Sequence, residues 1–75
     1  MLSSLNIRHM RVFVAVAEQG SFSAAAAALG LGSPAITATI RQFEDVTGAA
    51  LFDRTTRHVS LTVTGERFLP IARRS

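Results

Sequence analysis

Residues 20–43 read GSFSAAAAALGLGSPAITATIRQF, and the reading of this stretch decides the fold. Gly20 stops the helical pattern that precedes it. Ser21 then offers an N-cap to Ala24-Ala25-Ala26-Ala27-Ala28-Leu29, the strongest helix-forming run in the chain. Gly30 ends that run, and after Gly30-Leu31-Gly32 a further helix opens at Ser33-Pro34. With Ser33 as the cap, Pro34 takes the first helical position; with Gly32 as the cap, the helix begins one residue earlier, and both readings fit the sequence. The helix is predicted to run to about Thr47. Its apolar stripe, Ile36, Ile40 and Phe43, leaves Pro34, Thr37, Ala38, Arg41 and Gln42 on the outward side at about 100° per residue. Two short helices joined by a glycine-containing turn, the second showing small polar side chains and an arginine, form a helix-turn-helix. In such units the second helix lies in the DNA major groove. The pattern alone also fits a structural helix bundle with one polar face.

Upstream, Asn6 is placed to cap a helix whose positions Ile7, Met10, Phe13, Val14 and Ala17 follow the spacing of one buried face. Leu5, Val12 and Val16 lie opposite, so this helix is expected to be central and covered on two sides. Downstream of Gly48, Leu51-Phe52 and His58-Val59-Ser60-Leu61 flank the polar stretch Asp53-Arg54-Thr55-Thr56-Arg57, which reads as a small hairpin with a basic tip. Thr62 is a cap for a last helix carrying Phe68, Leu69 and Ile71, with Pro70 expected to bend it or remove a hydrogen bond. The predicted fold is mainly α: a winged helix-turn-helix with a three-helix core, a β-hairpin wing, and the start of a linker helix. The winged unit is assigned to residues 1–61 and the linker or dimerisation helix to residues 62–75, which end in Arg73-Arg74-Ser75 without a stop signal, as at the front of a longer protein.

Composition bounds the function. The 75 residues, 48% hydrophobic and 17% charged, suit one small folded domain and no second one. Eight arginines and no lysine against five acids give a net charge of +3 and a sequence pI near 11.5, which favours an anionic partner. The absence of cysteine excludes a disulfide framework and a thiolate metal site and points to the cytoplasm. The longest uninterrupted apolar runs, Val12 to Ala17 and Ala24 to Leu29, fall far short of the roughly 20 residues that span a bilayer. The run that ends in Ala15-Val16-Ala17 is also too short for a secretion signal, and the basic part before it too long.

The string Phe13-Val14-Ala15-Val16-Ala17-Glu18, then Gly20-Ser21-Phe22-Ser23, Ala25-Ala26, Pro34-Ala35-Ile36-Thr37, Ile40, Phe43-Glu44, Gly48, Leu51-Phe52-Asp53-Arg54, Leu61-Thr62 and Gly65-Glu66 carries a resemblance. Each motif is degenerate, but in this order and spacing they resemble the N-terminal DNA-binding domain of LysR-type transcriptional regulators; the related domain of molybdate-dependent regulators is the nearest look-alike. The resemblance implies a bacterial, non-enzymatic, sequence-specific binder of double-stranded DNA that pairs as a homodimer, with a higher homo-oligomer in the full-length protein. It also implies a linker helix and a ligand-sensing effector domain after it, so that no cofactor belongs to these residues and a small-molecule inducer is expected only in the effector domain. The DNA-binding residues it implies are Ser21, Ser23, Ser33, Pro34, Thr37, Ala38 and Arg41, with Arg54 and Arg57 on the wing. The chain departs from the family where Gly32-Ser33 replaces serine-glutamine and Ala38 replaces arginine, which reduces the base-reading set to Ser33, Pro34, Thr37 and Arg41. The alternative class is a winged-helix module that docks a protein.

Other motifs have bland readings. Gly30-Leu31-Gly32-Ser33-Pro34-Ala35 matches a dinucleotide fingerprint, but an alanine helix precedes it where a strand is required. Asp53, His58 and Ser60 supply the residue types of a hydrolytic triad without an oxyanion cradle. His9 and His58 are too few for a structural zinc site and read as surface residues. Glu44 and Asp45 point to different sides of their helix and read as solvating its end, and Arg73 and Arg74 read as the solvated face of the linker helix rather than as a basic patch. Arg54 is also placed for an ion pair with Glu44 or Asp45.

Overall fold

The first described helix, α1 (Ile7–Gln19), touches every other helix of the computed structural model, which describes residues 7–53 and 59–74. α2 (Phe22–Leu29), α3 (Ser33–Thr47), strands β1 (Phe52–Asp53) and β2 (Ser60–Leu61), and α4 (Val63–Arg73) follow in chain order. The strands pair antiparallel, Phe52 opposite Leu61 and Asp53 opposite Ser60. Asp53 therefore belongs to the ladder rather than to the polar tip. The tip itself, with Arg54, Arg57 and His58, lies outside the described residues, as does Asn6.

Caps set the helix ends. Ser21 Oγ accepts the Ala24 N–H at 3.0 Å. At the other end of α2, Gly30 sits at φ 69° while Leu31 N–H returns to Ala26 O at 2.9 Å, a Schellman closure that a side chain at Gly30 would strain. α3 is capped by Gly32, with Pro34 in its first turn and no side-chain cap bond, so of the two readings the earlier start is correct. α4 starts at Thr62, whose Oγ1 accepts from Gly65 N at 3.0 Å and donates to Ala50 O at 2.7 Å. Pro70 lies within α4, which continues to Arg73.

The core is one cluster of Val12, Phe13, Val16, Ala25, Ala26, Ile36, Ile40, Phe43, Leu51, Phe52 and Ala72. The small Ala25 and Ala26 let α2 lie close against its neighbours. All five phenylalanines of the chain touch in series. Phe22 meets Phe52 at 6.1 Å, Phe52 meets Phe13 at 5.3 Å, Phe13 meets Phe43 at 5.4 Å and Phe43 meets Phe68 at 5.8 Å. These tilted and edge-to-face pairs add to the area that the rings bury.

Three expectations are corrected. The buried stripe of α1 is His9, Val12, Phe13 and Val16, while Ile7 is 60% exposed and Met10, Val14 and Ala17 are half-buried. Both expected sides are covered: Val12 and Val16 of the one and Phe13 of the other are buried, and α2, α3 and α4 all pack on α1. His9 is a core residue, 5% exposed, with its ring 5.8 Å from that of Phe43. Glu44 does not merely solvate a helix end: its Oε2 accepts the Leu51 N–H at 2.8 Å. Thr39, a buried polar residue of α3, satisfies its hydroxyl by donating to Ala35 O at 2.9 Å.

Candidate nucleic-acid interface

The axes of α2 and α3 turn through 107° across Gly30-Leu31-Gly32. That angle follows from the left-handed Gly30, which closes α2 abruptly, and from the extended N-cap Gly32 and Pro34 in the next turn, which redirect the chain into α3. Burying Ile36, Ile40 and Phe43 against α1 fixes the rotation of α3 about its own axis. One consequence is a single shallow surface lined by Ser33, Pro34, Thr37, Ala38, Arg41 and Gln42. Thr37 is half-buried and the other five are exposed.

The structure thus gathers five of the expected residues, Ser33, Pro34, Thr37, Ala38 and Arg41, on one face of one helix. Gln42, which helical periodicity also puts on the outward side but which lies outside the expected site residues, joins them. Ser21 and Ser23 stand apart at the start of α2. The Ser21 hydroxyl oxygen is engaged as a cap, whereas Ser23 is exposed. The expectations for Arg54 and Arg57 fall outside the described residues.

Chemically this face suits a polyanion with a patterned floor. The positive end of the α3 dipole opens at Ser33 and Pro34, and Arg41 stands two turns further on. Between them, Thr37 offers a hydroxyl and a methyl, and Ala38 a methyl, which suit base edges and the thymine methyl. Among the described residues no group of three or more histidine or acidic side chains is arranged to hold a metal ion. No single described helix is long and apolar enough to cross a membrane.

A turn of 107° with three intervening residues is helix-turn-helix geometry, and residues 7–66 match the family model of bacterial regulatory helix-turn-helix proteins of the lysR type. The chain belongs to the LysR family. Its fold is that of the LysR helix-turn-helix DNA-binding domain. PtxR of Pseudomonas aeruginosa, a transcriptional regulator, is 45% identical over 73 residues, covering 97% of this LysR-family chain and 23% of PtxR. The DNA-binding domain of BenM, solved with benA site 1 DNA, superposes with a TM-score of 0.90 at 36% identity, over 93% of this chain and 79% of that one. Full-length CbnR, solved with its target DNA, gives 0.89 at 38% identity, over 93% of this chain and 24% of CbnR. The chain spans between a fifth and a quarter of the length of these full-length relatives.

Proposed function

We propose that this domain binds double-stranded DNA with α3 in the major groove and serves as the DNA-reading end of a cytoplasmic, non-enzymatic transcriptional regulator. The observation that carries the reading is the α3 face: a surface of small polar and methyl groups, held at 107° to α2 and ending at Arg41. Its likeness to domains solved on DNA supports the same reading. Ser33, Pro34 and Thr37 approach base edges, and Arg41 meets the phosphate backbone. Ser21 and Ser23, at the start of α2, approach the backbone alongside. Arg54 and Arg57, which follow β1 in sequence, extend the contact to neighbouring phosphates or the minor groove.

Residues 1–61 are assigned to reading and residues 62–75 to the beginning of a linker helix through which two copies pair on a site with dyad symmetry. The remaining length of a LysR-family protein would house the effector domain and its small-molecule inducer. The test is titration of the chain, and of a form extended by roughly five helical turns, or about 18 residues, against duplexes with one and two half-sites at several salt concentrations. Affinity that falls steeply with salt, together with a gain from the second half-site only in the extended form, is the expected result. Salt-independent or absent binding would favour the protein-docking module instead, and equal affinity of the extended form for one and two half-sites would overturn the dyad.

A further inference from the structure

A polar contact joins the buried face of α1 to the reading face of α3. His9, in the first turn of α1, is 5% exposed, and its Nε2 lies 3.4 Å from Oε1 of Gln42. Gln42 follows Arg41 on α3, is exposed, and lines the same surface as Thr37, Ala38 and Arg41. A side chain on the outer face is thus held from inside the core, by a ring itself packed against Phe43.

A primary amide has an acceptor end and a donor end. When the imidazole N–H donates to Oε1, both N–H bonds of the amide nitrogen remain for an acceptor outside. In the major groove the first turns of a recognition helix meet base edges, and its later turns approach the backbone, where the acceptors are phosphate oxygens. Gln42 lies in the later turns of α3. We propose that Gln42 is a phosphate-contacting residue of this interface and that His9 is its positioning residue, holding the amide oxygen so that the amide N–H groups face the duplex. The proposal rests on the reading of α3 as the recognition helix. His9 is too deeply buried to meet DNA and acts only through Gln42. Fixing the glutamine before binding removes rotamer entropy that an untethered side chain would lose on contact. Gln42 is uncharged, so its contact releases no counterion. Its signature is lower affinity at an unchanged salt slope, unlike the loss of an arginine.

The experiment is a fluorescence anisotropy titration of a labelled mixed-sequence duplex of about three helical turns, over a range of sodium chloride, with melting curves for every variant. Gln42→Ala should weaken binding about five- to tenfold at fixed salt with the slope unaltered. Gln42→Glu, which keeps an acceptor for His9 but turns a negative charge toward the phosphates, should weaken it further. His9→Phe keeps a ring on Phe43 and should weaken binding about threefold, and the double variant His9→Phe/Gln42→Ala should bind no more weakly than Gln42→Ala alone. His9→Gln, which restores an N–H donor, should bind more tightly than His9→Phe. Parent-like binding by Gln42→Ala or Gln42→Glu would overturn the phosphate contact, and full additivity of the two losses would overturn the positioning role. The Gln42 substitutions lie on an exposed face, so their result stands even where a His9 variant melts too low to assay. Arg41→Ala keeps the two levels apart: a loss there beside parent-like Gln42 variants overturns this inference alone, whereas indifference to every substitution on the face overturns the recognition-helix reading.

Discussion

Oε2 of Glu44 accepts the backbone N–H of Leu51 at 2.8 Å, so the last turn of α3 holds the segment that enters the hairpin. Leu51 is fully buried, and its carbonyl accepts the Thr62 N–H at 3.0 Å. The two backbone groups of one residue therefore tie α3 to the start of α4. Glu44→Ala takes the carboxylate acceptor from a buried N–H and should cost about 1 to 3 kcal/mol in denaturant unfolding. Glu44→Gln keeps an oxygen in place and should cost less. A loss below about 0.5 kcal/mol for Glu44→Ala would mean that another acceptor replaces the carboxylate.

Gly65 packs beneath the same carbonyl. A Cβ there would fall on Leu51 O and lie 2.9 Å from Leu61 Cδ2, and a backbone oxygen cannot swing aside as a side-chain tip can. Gly65→Ala should therefore destabilise the fold by about 1 to 3 kcal/mol. Gly32→Ala is the comparison without a clash, since its Cβ meets only Pro34 Cδ at an ordinary 3.6 Å; it loses only the preference for glycine over alanine at the N-cap of α3 and should cost no more than about 1 kcal/mol.

Phe13 is fully buried at the middle of the ring series, against Phe43 and Phe52. Phe13→Ala should cost about 3 to 5 kcal/mol. In a domain of this size that is comparable to the whole stability, so far-ultraviolet circular dichroism should show a largely unfolded chain at room temperature. Phe13→Leu refills much of the space and should stay folded with a lowered melting temperature.

On DNA, Arg41→Ala should weaken binding across many sequences and lower the slope of log affinity against log salt by about one. Thr37→Ala should instead change the preferred sequence, with about 1 to 3 kcal/mol lost at one base pair. Titrations at graded salt and selection from a randomised duplex pool measure the two effects. An Arg41→Ala variant with unchanged affinity and slope would place that arginine off the DNA.

Local chemistry made most of the scaffold legible. Ser21 and Thr62 cap where their hydroxyls predicted, and Gly20, Gly30 and Gly48 each take a positive φ where a helix was expected to stop. The outward face of α3 followed from periodicity, because three large apolar residues on the opposite side fix its rotation. What stayed hidden depends on partners distant in sequence. His9 looked like a surface residue because the polar pattern of α1 says nothing of Phe43 and Gln42, 33 or more positions later. The Glu44 tether spans seven residues across a loop whose path no periodicity encodes. Ile7 stands exposed because the covered arc of α1 is set by where α2, α3 and α4 arrive, and helical spacing alone does not fix that arc.

The ring series has an optical consequence. The chain contains neither tryptophan nor tyrosine, so phenylalanine dominates its near-ultraviolet spectrum. Because each of the five rings touches the next, and together they sit on α1, α2, α3, β1 and α4, the phenylalanine dichroism reports on every one of those elements through a single chromophore type. Its fine structure should vanish in step with the helical signal on heating, and a tryptophan in place of Phe68, at the α4 end of the series, would add a fluorescent reporter whose quenching follows the packing of that helix.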